Sequence, residues 1–222
     1  MPRAKQRTRE LRDRVLSVAV DMLASGGPAG FTTRKVAQGA STSTPAVYEL
    51  FGDKAGLVRE VFFEGFRRLG ERFGALAETR DPRADVAALA DAFRVFVREN
   101  QVMAELMFSR PFADFDPGPA EVKAGGAVRE RIVGRVRRCI GAGLFAGDET
   151  DIAHALFCLV QGLAAAEVTG RLGRSRASID RRWGVAVGAM LDGLGRAARP
   201  TRRARAGKPA QRSRRQLGRS RR

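Results

Sequence analysis

Apolar residues recur along this chain at the three- and four-residue spacing of a helix, and no stretch alternates as a strand would. Leu11, Val15, Val18, Ala19, Met22 and Leu23 form one stripe, predicting a helix over residues 7–25 that Gly26-Gly27-Pro28 ends. A short second helix starts at Thr32 or Thr33, whose hydroxyls can cap its first turn, and carries Val36, Ala37 and Ala40 on one face. Ala40-Ser41-Thr42 makes a turn. Ser43 then caps a third helix with Pro45 in its first turn, where the missing N–H has no intrahelical acceptor. Val47, Leu50 and Phe51 give that helix a buried side, and Thr44, Ala46, Tyr48 and Glu49 lie around the rest. Two short helices in this order, the second presenting small and polar side chains, are the parts of a helix-turn-helix, although paired helices have other uses.

Asp53 is placed to cap a long fourth helix over residues 54–78, with a stripe of Leu57, Val58, Val61, Phe62, Phe66, Leu69, Phe73 and Leu76. Three short helices can cover only the first half of that stripe, so this helix is expected to join two domains. After Asp81-Pro82 comes a helix with Val86, Leu89, Ala90, Phe93 and Val97, giving way near Asn100 to a shorter one with Val102, Met103, Leu106, Met107 and Phe108. Residues 109–119 hold three prolines and cannot be one helix. A long helix over 120–142 follows, with Val122, Val128, Ile132, Val136, Cys139 and Ile140. Two more span about 150–171, capped by Thr150 or Asp148, and 178–198, capped by Ser178. The first of these is apolar nearly all round, so it must be buried on two faces. In the second, Gly184 and Gly188 allow close approach beside Trp183. The fold class is all-α, with about nine helices.

Charge sharpens this picture. The 222 residues carry a formal net charge of +17 and a pI of about 11.5, which points to a polyanionic partner. Residues 1–14 contribute +4 and residues 196–222 contribute +12, leaving the body between them near neutral at +1. The tail from Arg199 lacks the apolar residues needed to fold and reads as a disordered polycation. It serves either as a solubilising end or as a sequence-independent attraction to phosphate. Cys139 and Cys158 sit in apolar helical contexts with no metal-ligand spacing, and both are expected to be buried free thiols in a reducing compartment. No apolar region follows the basic start, so no signal peptide is expected. The run from Ile152 to Val168 is broken by His154, Gln161 and Glu167 and is short for a membrane span. A cytoplasmic protein with no membrane partner is the expectation.

One set of residues carries more than its spacing. Gly30-Phe31-Thr32-Thr33, Val36-Ala37, Ala40, Ser43, Ala46-Val47-Tyr48, Phe51, Lys54 and Leu57, taken together, resemble the DNA-binding domain of the tetracycline-repressor (TetR) family of bacterial transcription regulators. The family pattern has Gly and Val at the turn where this chain has Ser41 and Thr42, so Ser41 is expected to strain it slightly. The rest of the chain resembles a C-terminal ligand-binding domain of some members. The marks are LMFSRPFADFDPGP and Phe157-x-x-x-Gln161-Gly162, a place that commonly reads Trp-x-x-x-His-Gly.

The resemblance implies a basic arm over 1–8, a helix-turn-helix domain over 9–69, a ligand-binding and dimerisation domain over 70–198 and the basic tail over 199–222. It implies double-stranded operator DNA as partner, a homodimer through the last two helices, and repression relieved by a small-molecule effector. Ser43, Thr44, Pro45 and Ala46 would enter the major groove. Tyr48, Lys54 and Thr33 would meet phosphates, and Arg34 and Lys35 are the nearest candidates for base readout. Arg3, Lys5, Arg7 and Arg9 would reach the backbone or minor groove. For the effector, Phe93, Phe96, Met103, Met107, Phe108, Phe112, Phe157 and Gln161 could line a mostly apolar pocket with one polar handle. No cofactor or metal is implied.

Two rival classes remain at this point. Catalysis needs a constellation, and the single histidine, His154, has no nucleophile pattern or metal spacing beside it, so the chain is not expected to be an enzyme. A sequence-independent packaging protein driven by its basic ends is the other alternative. Deletion of residues 199–222 separates the two in a DNA-binding titration: a regulator keeps its preference for an operator, whereas a packaging protein loses most of its binding.

Overall fold

The computed structural model describes residues 2–109 and 118–198, all of whose regular elements are helices. In order they are α1 (Pro2–Gly30), α2 (Thr33–Gly39), α3 (Thr44–Phe51), α4 (Lys54–Gly74), α5 (Pro82–Glu99), α6 (Gln101–Ser109), α7 (Pro119–Gly141), α8 (Glu149–Val168) and α9 (Arg176–Ala197). Phe112, much of the proline-rich stretch after α6 and the basic tail lie outside the described residues.

Helix α1 is longer than its apolar stripe predicts. Its backbone is already helical from Pro2, so residues 2–8 extend the helix rather than form a separate arm. The expected stop appears as a break within it, at Gly27 (φ 62°, ψ −176°), followed by one further turn to Gly30. Gly27 precedes Pro28, whose ring disfavours the α conformation in the residue before it.

Val15, Ala19 and Leu23 of α1, Phe31, Val36, Ala37 and Ala40 around α2, and Val47 and Phe51 of α3 are all buried. Leu57, Val58, Val61 and Phe62 close this first core from α4. Beyond them Leu69 and Phe73 are buried in the second half of the molecule, where α4 lies along α7 and also meets α5 and α6. One helix thus takes part in both cores, as the length of its stripe required, although it ends at Gly74 and not near residue 78.

Capping side chains fix several helix starts. Asp81 accepts from the N–H groups of Arg83 and Ala84 at 3.0 Å each, and Asp148, rather than Thr150, accepts from those of Thr150 and Asp151. The last helix begins earlier than expected, because Ser175 caps it by accepting from Ser178 N–H at 3.3 Å and Ser178 lies inside. Val122 departs from its expected stripe and is 68% exposed. Cys139 is buried but Cys158 is exposed, against the expectation of two buried thiols.

Helix α8 is long and apolar enough to cross a bilayer. In the chain it buries Ile152, Ala153, Leu156, Val160 and Ala164 against α5, α7 and α9. Only one of its faces is buried this way. Within one chain His154, Ala155, Cys158 and Gly162 on its other side are exposed.

The corner between α4 and α5 is held by charge. Asp85 is 3% exposed and accepts from Thr79 N–H at 2.9 Å, Thr79 Oγ1 at 2.7 Å and Arg138 Nη1 at 2.5 Å. Arg135 adds Nη1 at 3.3 Å from the carboxylate and donates to the carbonyls of Leu76 and Ala77 at 2.6 and 3.1 Å. These bonds pair backbone groups of the loop after α4 that have no partner within a helix. A second cluster ties α9 to the bundle. Arg94 binds Glu167 at 2.5 Å and Asp180 at 2.7 Å and stacks 4.9 Å from the Trp183 ring centroid, while Trp183 Nε1 donates to Asp91 at 3.0 Å.

Burial alone would push the Asp85 carboxyl up, but its bonds from Thr79 and Arg138 outweigh this and hold its pKa at about 2. A depressed folded-state pKa contributes stability above the unfolded value and loses it as pH falls through the folded one. Asp85→Asn is therefore expected to lower the melting temperature at neutral pH. Its difference from the parent chain should close between about pH 4 and pH 2 in denaturation curves.

Candidate nucleic-acid interface

The reader is built from α2, a three-residue turn and α3. Thr32 Oγ1 accepts from Lys35 N–H at 3.3 Å and so caps α2. The turn folds back through Ser41 N–H to Gln38 O at 3.1 Å and Thr42 N–H to Ala37 O at 2.9 Å. Ser41 sits at φ 51°, the left-handed region that a side chain disfavours, which is the strain expected of serine at this place. Ser43 Oγ then accepts from Ala46 N–H at 3.3 Å, and Pro45 occupies the first turn of α3.

Helix α3 is joined to α4 by a very short connection. Asp53 Oδ1 accepts from Gly56 N–H at 2.7 Å. A Cβ on Gly56 would stand 1.9 Å from the carbonyl oxygen of Phe51, so only glycine lets the first turn of α4 lie against the end of α3. The reader helix and the long connector therefore meet at a junction with little slack.

Two arginines of α1 complete the frame. Arg14 Nε donates to the carbonyl of Ala40 at 3.0 Å, at the end of α2. Arg12 Nη1 donates to the carbonyl of Leu50 at 3.2 Å, near the end of α3, while its Nη2 pairs with Glu60 of α4 at 2.6 Å. The same guanidinium lies 4.8 Å from the Phe51 ring centroid. Both cations serve helix C-termini, where carbonyls lack intrahelical partners and the dipole favours positive charge. Sequence reasoning counted these residues only as part of a basic end. Their positions at i and i+2 in α1 carry no local signal of the carbonyls they reach.

The candidate DNA-binding side chains divide by exposure. Arg34, Lys35, Ser43, Pro45, Tyr48 and Lys54 are exposed, Tyr48 by 46%, and Thr44 and Ala46 are half-buried. They cover one side of the reader, opposite Val47 and Phe51. Lys54 Nζ lies 6.0 Å from the Phe31 ring centroid, and Lys35 Nζ donates to Gly30 O at 3.4 Å. Thr33 is different: it lies at the first turn of α2 and is only 6% exposed.

The candidate effector residues are less of a group. A cavity of about 30 Å³ lies between α4, α5, α7, α8 and α9, walled by Phe73, Phe93, Ile132, Leu156, Phe157 and Val187 among others. Of the described effector candidates only Phe93 and Phe157 reach it. Phe108 links to it by ring contacts, with centroids 5.7 Å from both Phe93 and Phe157 and 5.9 Å from Phe66. Phe96 is buried apart from the cavity, and Gln161 is half-buried away from it. Met103 and Met107 pack on α4 at Gly65, where a Cβ would come within 2.5 Å of Met107 Sδ. His154 is exposed, its Nδ1 2.9 Å from the Thr150 carbonyl of its own helix. Among the described residues no group of three or more His, Cys, Asp or Glu is placed to hold a metal ion.

The chain matches known proteins in the same two parts. Residues 15–61 match the family model described as bacterial regulatory proteins, tetR family, and residues 86–190 match that of the tetracyclin repressor-like C-terminal domain. Comparison with curated proteins returned no match. Among solved structures, a protein with unknown function from Rhodococcus sp. RHA1 is 28% identical with a TM-score of 0.74, over 83% of this chain and 95% of that one. The TetR family transcriptional regulator PfmR from Thermus thermophilus shares the fold at 18% identity and a TM-score of 0.63, over 82% and 98% of the two chains. A TetR variant from Acinetobacter baumannii AYE, in complex with minocycline, does so at 19% identity and 0.60, over 84% and 97%. With both family models in chain order on this fold, the protein belongs to the tetR family of transcription regulators, with a helix-turn-helix DNA-binding domain at its N-terminal end.

Proposed function

We propose that this regulator binds a palindromic operator as a homodimer in the cytoplasm and represses transcription until a small apolar or aromatic effector releases it. Residues 9–69 read the DNA, 70–198 hold the effector and the dimer contact, and the basic residues in 1–8 and 199–222 add sequence-independent attraction to phosphate. The observation that carries the reading is the exposed side of α3, held in place by Arg12, Arg14 and Gly56. Ser43, Thr44, Pro45 and Ala46 enter the major groove, with hydroxyls for base edges and apolar carbon for a thymine methyl. Tyr48 and Lys54 reach phosphates on either side, and Arg34 and Lys35 add positive charge from α2. Thr33 meets a phosphate at the start of α2, where the helix dipole also helps.

The outward sides of α8 and α9 support a two-fold contact. Ala155, Cys158 and Gly162 on α8 lie exposed, as do Gly184 and Val185 on α9, the latter by 66%. A Cβ on Gly162, Gly184 or Gly188 would meet nothing within 4 Å. Nothing among the described residues requires glycine there, whereas close approach of a second copy would. The pairing covers the second face of α8 and presents two readers to half-sites about 34–36 Å apart or a multiple of that.

Release follows from the position of α4. Phe73 near its C-terminal end lines the cavity, and its first turn abuts the end of α3. A cavity of about 30 Å³ has no room for an effector, so entry of one displaces Phe73, Phe93 or Phe157 and shifts α4 against the rest. The two states differ in reader spacing, and the response is limited by the effector's difference in affinity between them.

Selection of genome fragments by the purified chain is expected to enrich one inverted repeat; enrichment of no sequence would overturn the operator reading. On that repeat, Tyr48→Phe is expected to weaken binding about tenfold for every sequence alike, as loss of a hydrogen bond to a charged group does. Thr44→Ala should instead relax choice at one base pair per half-site by about fivefold. Val185→Arg is expected to convert the dimer to monomer in sedimentation experiments, with a dimer Kd raised about 100-fold by an unpaired buried charge. Operator binding should fall with it.

A further inference from the structure

The outward face of α3 is centred on Pro45 and Glu49, one turn apart and opposite the buried Val47 and Phe51. Glu49 is exposed, and its carboxylate has no hydrogen bond or ion pair among the described residues. The other outward side chains of α3, Thr44, Pro45, Ala46 and Tyr48, are neutral. A carboxylate in the middle of a surface that docks on a polyanion weakens attraction to every DNA sequence. On this face it is compensated only where the DNA offers it a hydrogen-bond donor.

Base edges differ sharply in that respect. In the major groove guanine presents N7 and O6, both acceptors, and thymine presents O4, an acceptor beside its methyl group. Adenine presents an N6 amino donor next to the N7 acceptor. Cytosine alone presents a donor, its N4 amino group, with no acceptor on its own edge. A carboxylate, which only accepts, is repelled by the first two, half-matched by adenine and fully matched by cytosine.

We propose that Glu49 selects a cytosine in each operator half-site by accepting a hydrogen bond from its N4 amino group, an assignment that rests on the operator reading above. The residue sets specificity at the expense of general affinity. It supplies this reader helix with an ionised base-reading group, in a helix that has no Arg, Asn or Gln. Its action is discrimination: pairing with one base and electrostatic rejection of those that present acceptors.

The test is selection from a randomised duplex library by the full chain, by Glu49→Ala and Glu49→Gln, and by Glu105→Gln, which removes an exposed carboxylate on α6 as a charge control. The parent chain is expected to enrich cytosine at one symmetric position. In Glu49→Ala that preference falls about fivefold or more while other positions keep theirs. In Glu49→Gln it moves toward adenine, whose N6 and N7 match an amide. Both variants bind unrelated DNA more tightly than the parent, which Glu105→Gln does not. Base frequencies unchanged at every position in both Glu49 variants would overturn the proposal, as would a uniform loss across the whole site. If the parent chain itself enriches no sequence, the operator reading fails first and the role of Glu49 fails with it, so the two failures are distinct.

Discussion

Helices of seven and eight residues do not hold their shape alone in water, because too few hydrogen bonds repay the nucleation cost. The reader of this protein consists of two such helices, so its geometry has to be imposed from outside. Arg12 and Arg14 of α1 do this by donating to carbonyls at or near the C-terminal ends of α3 and α2, while Val15, Ala19 and Leu23 bury the apolar sides. The caps at Thr32 and Ser43 answer the opposite ends. Each short helix thus has a side-chain hydrogen bond at or near both ends and is anchored along one side, which leaves the remaining side held in place and open. Rigidity matters here because base readout depends on placing donors and acceptors to within fractions of an ångström.

The same demand passes along the chain to α4. Gly56 brings its first turn against the end of α3, Gly65 admits Met103 and Met107 of α6 at close range, and Phe73 closes the apolar cavity. A packed interior transmits displacement because it has few voids to absorb it. The ring contacts from Phe66 through Phe108 to Phe157 tie α4, α6 and α8 into one such interior. At the far corner, Asp85 with Arg135 and Arg138 keeps the loop after α4 bound to α7, so movement of α4 cannot be absorbed there without breaking a buried charge cluster.

Charge is divided in a way that suits a DNA ligand. Basic excess is concentrated at the two ends of the chain, and the body between them is near neutral. The outward side chains of α3 are small, polar or acidic, and none of them is basic. On the operator reading proposed above, affinity and choice fall to different parts of the protein, with Glu49 at the centre of the part that chooses.

Much of this was legible in the amino-acid order. Helical periodicity, the caps at Thr32, Ser43 and Asp53, and the breaks at Gly27, Asp81-Pro82 and Asn100 are all local. Each depends on residues within about one helical turn of one another, so local chemistry was enough to specify them. The partners of each face were not local. Nothing near Arg12 announces a carbonyl 38 positions away, or near Arg138 a carboxylate 53 positions away. Thr33 is buried, Val122 is exposed, and the described residues expected to line one pocket are scattered over several contacts. An apolar stripe states only that a face is covered, not by what. Residue order was thus sufficient for which helices form and, in the main, which side of each is buried. Packing between distant segments settled which charges are spent inside, how little room the cavity holds, and which faces of α3, α8 and α9 stay open, because those depend on distances between residues far apart in the chain.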